Sequence, residues 1–181
     1  MKLICFALLM TAAAVAADQP QVSPAKVLDS SLRGAERDIV SLVEAMPADK
    51  FNFAPTGGEF KTVRTFSQQA RHIAYVVYAV SSSILAEKNP STTDKEENGP
   101  DLKTKEEVVK YVKDAFAYGH KAILTITAES LMAMADNPFG ESSKMPKLAL
   151  ANIATWHSFD HYGQMVVYAR MNGVVPPASK Q

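Results

Sequence analysis

Apolar residues recur at three- and four-residue intervals through four long stretches of this 181-residue chain, and that period demands amphipathic helices. The first stretch runs from Pro24 to Met46. Val27, Leu28, Leu32, Ala35, Ile39, Leu42, Val43 and Met46 share one face, with Lys26, Arg33, Arg37 and Asp38 mostly on the other. Pro24 suits a first helical turn and Pro47 closes the segment. A second helix is predicted from Thr65, where Thr65-Phe66-Ser67-Gln68 forms a capping box, to about Glu87. Its inward stripe is Gln69, His72, Val76, Ala79 and Val80. A third opens at another capping box, Thr104-Lys105-Glu106-Glu107, and is predicted to run to about Asp136, where Asn137-Pro138-Phe139-Gly140 stops it. Val108, Val112, Ala115, Gly119, Ala122, Ile123 and Ile126 give its buried face. The fourth starts between Ser143 and Pro146 and reaches Asn172. Leu148, Ile153, Trp156, His157, His161, Gln164, Met165 and Tyr168 mark its inward side. Gly173 serves as its C-terminal cap, and Pro176-Pro177 bars continuation.

Between the first two helices, residues 48–64 combine the apolar plugs Phe51, Phe53 and Phe60 with a turn at Pro55-Thr56-Gly57-Gly58. This linker is expected to pack across one end of the assembly, near the start of the second helix. Residues 88–103 are polar and rich in Pro, Ser, Thr, Asn and charge, and read as a solvated crossover loop. No strand alternation, internal repeat or phosphate-cradling glycine loop is evident. Four long helices joined by such connections imply an all-α fold, a four-helix bundle.

The first 17 residues read as a secretory signal peptide, leaving residues 18–181 as the domain. Lys2 precedes an apolar run from Leu3 to about Val15, Ala14-Val15-Ala16 fits an A-x-A cleavage pattern, and polar sequence starts at Asp18. Val15-Ala16-Ala17 offers a second cleavage register, and an uncleaved anchor is the alternative. The apolar core is too short for a span, which needs about 20 such residues. Cys5, the sole cysteine, lies in that segment, so the remainder has no disulfide, thiol nucleophile or cysteine ligand. Removing Lys2 from 19 basic and 19 acidic residues leaves a formal net charge of −1. Neither a basic stripe for nucleic acid nor an acidic tail is present. No stable membrane insertion is expected once the signal is removed.

Within the bundle, three histidines are placed as a metal site needs them. Four residues of helix turn through roughly 400° and rise about 6 Å, so His157 and His161 project from one face. His72 lies on the inward face of another helix. Three neutral imidazoles from two facing helices can hold a divalent metal and leave a position open for water. The competing reading is three satisfied structural histidines, but buried imidazoles without partners are costly. His120, beside the third helix's core stripe, is expected in a surface or flanking role. Asp160 can orient an imidazole or act as general base, or else be a solvated helix charge. Tyr75 and Gln164 lie one turn from a histidine, as pocket lining or as core-edge polar groups; Trp156, Met132 and Met134 read as core.

The segment His157–Ser179, HSFDHYGQMVVYARMNGVVPPAS, resembles the end of DinB-like superfamily proteins: a histidine pair at spacing four, Tyr-Gly-Gln, a long apolar helix, then Arg-x-Asn-Gly-x-x-Pro-Pro-Ala-Ser. FAPTGGEFKTVRTFSQQARHIA is similar to the same family's approach to its first histidine. The resemblance covers most of residues 18–181, least well at 88–103. It implies an antiparallel four-helix bundle in which His72, His157 and His161 bind a divalent metal, often nickel or zinc. Such proteins are frequently homodimers. Some resemble metal-dependent hydrolases, others transferases using low-molecular-weight thiols, and many have no assigned reaction. The family name does not imply DNA binding, and no nucleic-acid partner is expected.

An exported chain departs from the thiol-dependent members, because small thiols are kept reduced in the cytoplasm and the periplasm is oxidising. The reading carried forward is a periplasmic or secreted metal-dependent hydrolase with a small-molecule substrate. Its site is His72, His157 and His161, with Asp160 as the catalytic base. The alternatives are a metal-stapled binding module and a metal-free dimerisation bundle.

Overall fold

The computed structural model describes residues 22–91, 97–140 and 142–180. The signal-peptide reading, with Cys5, lies outside the described residues, as does the centre of the 88–103 loop.

Among the described residues four α-helices form: α1 (Pro24–Ala45), α2 (Phe66–Leu85), α3 (Lys105–Ile123) and α4 (Lys147–Met171). Their starts follow from the cap chemistry. The Ser23 hydroxyl accepts from the Lys26 amide ahead of Pro24. At α2 the Thr65 hydroxyl accepts from the Gln68 amide at 3.2 Å, and the Gln68 side chain accepts from the Thr65 amide at 2.8 Å. Thr104 and Glu107 repeat that exchange at α3. Each box satisfies backbone donors that a helix start leaves unpaired.

Both α1 and α2 pack against α3 and α4, so α1 and α2 occupy opposite corners of the bundle. Side-chain pairs fix the directions. His120 of α3 meets Asp29 early in α1, and Lys113 meets Glu44 late in α1, so these neighbours are antiparallel. His72 meets His157 and Gln69 meets His161, which makes α2 and α4 antiparallel as well. In contrast, α2 and α3 run the same way. Arg71, early in α2, faces Asp101 just before α3, whereas Glu87, just past α2, meets Lys121 near the end of α3. A parallel pair requires the chain to return along the bundle, which explains the length of the crossover loop. The loop is tied down where described: Ser91 hydrogen-bonds Tyr111 at 2.7 Å, the Arg71 guanidinium donates to the Pro100 carbonyl, and the Glu97 carbonyl meets His72.

The core is one continuous set of side chains, among them Leu32, Ile39, Phe66, Ile73, Phe116, Leu150 and Met165. Gly119 lets α3 approach its neighbours closely: a Cβ there would lie 3.0 Å from Leu32 and 3.1 Å from Val77. Phe51 is buried against Phe66, and the backbone amides of Phe66 and Ser67 donate to the linker carbonyls of Phe53 and Phe51. The linker therefore seats on the start of α2 as expected, except that Phe60 is exposed.

The third helix is shorter than predicted. It ends at Ile123, and residues 134–136 and 144–146 form a small antiparallel hairpin, β1 (Met134–Asp136) and β2 (Lys144–Pro146), paired Met134 with Pro146 and Asp136 with Lys144. Polar side chains supply the reason. Thr125 Oγ1 bonds back to the Ala122 carbonyl, and Thr127 and Ser130 each accept the other's backbone amide, so these residues bond locally at the expense of a helical ladder. Asn137 then stabilises the hairpin loop by accepting from the Phe139 amide and donating to Ser143. Met132 and Met134 are exposed on this segment, contrary to the core expectation.

Of the two roles expected for His120, the structure shows the flanking one and not the surface one. Its side chain is nearly enclosed at the α1–α3 seam, with Nδ1 2.6 Å from an Asp29 carboxylate oxygen and Nε2 3.0 Å from one of Glu36. Truncation by His120→Ala strips a buried carboxylate of one partner while leaving Arg33 on Asp29. The expected loss is about 2 kcal/mol, measured by urea unfolding at neutral pH; an unchanged midpoint would show the cluster to be idle.

Candidate metal centre

His72 enters the site from the second turn of α2, fixed there by the Thr65 capping box, and His157 and His161 enter from the middle of α4. One nitrogen from each ring lies within 4.8 Å of the others, and among the described residues this is the one group of three such ligands. The ring centroids are 4.5–5.0 Å apart.

Two of the three rings are oriented by oxygen atoms behind them. His72 Nδ1 donates to the Glu97 carbonyl, and His161 Nδ1 donates to Gln69 Oε1 at 2.5 Å. Each bond holds the proton on Nδ1 and leaves the Nε2 lone pair facing the centre. His157 Nε2 stands 3.0 Å from His72 Nε2. Two lone pairs at that distance repel unless a proton or cation lies between them, so this donor set fits a metal ion. Gln69 is held in turn: its Nε2 donates to Gln164 Oε1 at 2.8 Å, and Gln164 reaches the Asp160 carboxylate at 3.5 Å.

Burial keeps the rings neutral. It lowers His72 below the ordinary imidazole value, against the pull of the Glu97 carbonyl. Burial, then the neighbouring His72, pushes His157 down to about 4. Burial, then His157, pushes His161 down to about 3. Neutral imidazole is the form that ligates, so the site needs little deprotonation near pH 7. For the metal-free protein this sets the sign of a pH effect. Below about pH 6.5 the unfolded chain takes up protons that the folded rings refuse, so stability falls with acidification down to the folded values. Urea unfolding in chelator should show a midpoint declining between pH 6.5 and 5, and the decline should flatten in the His157→Ala, His161→Ala double variant. Equal slopes would mean the rings are not desolvated.

Two of the three histidines, His72 and His157, open on a cleft of about 510 Å³ lined also by Arg64, Tyr75, Val76, Glu97, Pro138, Phe139, Ile153 and Trp156. Tyr75 thus lines the pocket, whereas Gln164 braces Gln69 from behind. Asp160 is exposed and reaches His161 only through Gln164 and Gln69. Trp156 is 56% exposed at the cleft mouth and is not core. Phe139, from the hairpin loop, and Glu97, from the crossover loop, carry no sequence signal for the site; Gln69 does, lying one turn before His72 on the same face.

A helical bundle with a three-histidine site between two antiparallel helices is the class of protein this geometry defines. Residues 31–165 match the DinB superfamily, and the chain belongs to it. The fold is similar to a DinB-like protein from Bacillus cereus ATCC 10987 at TM-score 0.69 and 17% identity, covering 84% of this chain and 95% of that one. It is also similar to a DinB-like protein, YjoA, from Bacillus subtilis, at TM-score 0.62 and 20% identity, covering 81% and 92%. No curated protein sequence matches.

Proposed function

We propose that the protein is an exported metal-dependent hydrolase holding zinc or nickel at His72, His157 and His161. The observation that carries this reading is the convergence of three neutral imidazoles beside an open cleft, where a purely structural site would be closed. A divalent ion bound there supplies Lewis acidity and a water nucleophile available near neutral pH. The chain's own residues do the rest. Gln69 and the Glu97 carbonyl fix the ligand tautomers, Val76, Ile153, Trp156 and Phe139 exclude water from one side of the substrate, Glu97 is the acid that lines the cleft, and Asp160 acts only from behind His161, through Gln164 and Gln69. The oxidising setting of an exported protein favours water over a thiol cosubstrate. The test is a screen of esters, amides and lactones with metal-replete protein, alongside His157→Ala. Turnover lost in the variant supports hydrolysis; bound metal without turnover of any class leaves the non-catalytic module.

We also propose a homodimer formed through the outer face of α4. Phe159, Val167 and Met171 are exposed there on either side of Gly163, where a Cβ would meet nothing. An antiparallel two-fold crossing at Gly163 sets Phe159 level with the partner subunit's Val167 and Trp156 level with the partner subunit's Arg170, a self-complementary arrangement. Light scattering should give twice the chain mass for the wild type and a monomer for Val167→Glu; a monomeric wild type at micromolar concentration would sink the proposal.

A further inference from the structure

The cleft beside the three histidines has walls of one character and a rim of another. Val76, Ile153, Pro138, Phe139 and Trp156 form an apolar surface. Arg64, at the threshold of α2, is the only basic side chain among the cleft's lining residues. A cavity of about 510 Å³ lies in the range that encloses most of a small organic ligand.

Arg64 is braced by Asn98 and, among the described residues, only loosely paired. Its Nε donates to Asn98 Oδ1 at 2.6 Å, which fixes the plane of the guanidinium. Its carboxylate partner among the described residues, Glu97, stands 3.4 Å away with its side chain 84% exposed, while the Arg64 side chain is only 28% exposed. A long, solvated pair of this kind contributes little and exchanges readily. The cleft therefore offers a planar, fork-shaped cation on an apolar wall, next to the three imidazoles. A guanidinium in that setting suits a carboxylate, which it can meet with two parallel hydrogen bonds.

We propose that Arg64 is a specificity-determining residue that receives the carboxylate of a substrate whose apolar or aromatic body lies along Val76, Ile153, Phe139 and Trp156. This deepens the hydrolase reading and rests on it for the location of the reacting bond, at the histidines. Arg64 gives up its loose contact with Glu97 when the carboxylate arrives and keeps Asn98 as its brace. The competing role is structural: Arg64 pins the crossover loop through Asn98 and Glu97, and so positions the Glu97 carbonyl behind His72.

Trp156 is the chain's sole tryptophan and lines the cleft, so its fluorescence reports occupancy directly. The experiment titrates metal-replete wild type, Arg64→Met and Arg64→Lys with 3-phenylpropanoate and with its neutral isostere 3-phenylpropanamide, metal content being measured on each sample. The expected result is a preference of about 10- to 100-fold for the carboxylate in the wild type, the worth of a charge-assisted hydrogen bond. Arg64→Met should lose that preference while keeping its metal and its affinity for the amide, and Arg64→Lys should fall between. A carboxylate preference undiminished in Arg64→Met would overturn the proposal, because the histidine-bound ion would then be reading the anion. Loss of metal or of amide binding in Arg64→Met would overturn it in favour of the loop-pinning role, and a wild type that binds neither probe would overturn it outright. No turnover is needed, so a protein that discriminates the probes yet hydrolyses nothing would sink the hydrolase reading alone.

Discussion

The His157→Ala variant should contain no metal, where the wild type purified without chelator or histidine tag holds close to one equivalent. The ring supplies one of the three donors that, among the described residues, lie within 4.8 Å of each other. Removing a group that merely orients a ligand typically costs about 10- to 100-fold in metal affinity, so removing a ligand itself should cost more than about 100-fold. His157 is the informative choice because its Nε2 has only His72 for a partner. Its loss orphans no hydrogen-bonded oxygen, whereas His161→Ala would strand Gln69 Oε1 and His72→Ala would strand the Glu97 carbonyl. The metal-free His157→Ala protein should therefore fold about as well as metal-free wild type. Metal bound only to the folded state adds about 2.7 kcal/mol when free metal is a hundredfold above its Kd. Chelator should accordingly lower the melting temperature of the wild type and leave His157→Ala unmoved. One equivalent of metal retained by the variant would mean that the site lies elsewhere.

How far the sequence carries depends on what kind of interaction makes each part. The helix starts at Phe66 and Lys105 were legible because a capping box is local: four consecutive residues contain both halves of the hydrogen-bond exchange. The clustering of the three histidines was legible for a related reason, since helical geometry alone puts His157 and His161 on one face. The end of α3 was not. Its apolar period continues in residue type past Ile123, and what breaks the helix is the competing exchange between Thr127 and Ser130. The strand pairing of Met134 with Pro146 then spans a loop whose closure no periodicity reveals. The same limit hid Glu97 and Phe139, which reach the cleft by tertiary placement of loops. Trp156 was misassigned because α4 carries apolar residues almost all round, with Trp156, Phe159, Val167 and Met171 exposed, so its inward face is poorly marked by hydrophobicity.

Gln69→Leu should weaken metal binding by about 10- to 100-fold without touching a ligand. Gln69 is 2% exposed, and both ends of its amide are committed, Oε1 to His161 Nδ1 and Nε2 to Gln164 Oε1. The Asp160 carboxylate sets the sense of that chain: it can only accept, so Gln164 turns its Nε2 to Asp160 and its Oε1 to Gln69. With Nε2 donating to a carbonyl oxygen, Oε1 must face the ring, so His161 must carry its proton on Nδ1 and present Nε2 as the donor atom. Leucine fills much the same volume but removes the acceptor. The proton can then sit on either nitrogen, and the Nδ1 form carries a buried donor with no acceptor, a penalty of about 1–3 kcal/mol. Metal binding must meet that penalty from its own free energy. Gln69→Glu separates this account from simple packing. A carboxylate accepts from His161 Nδ1 at least as well as the amide does, and Gln164 can satisfy it by turning its own amide to donate. Glutamate should therefore keep the metal that leucine loses, as read by competition with a chromogenic chelator. If both variants lose metal equally, the pocket is sensitive to any change at this position and the tautomer argument fails. If neither does, His161 is oriented by the helix alone.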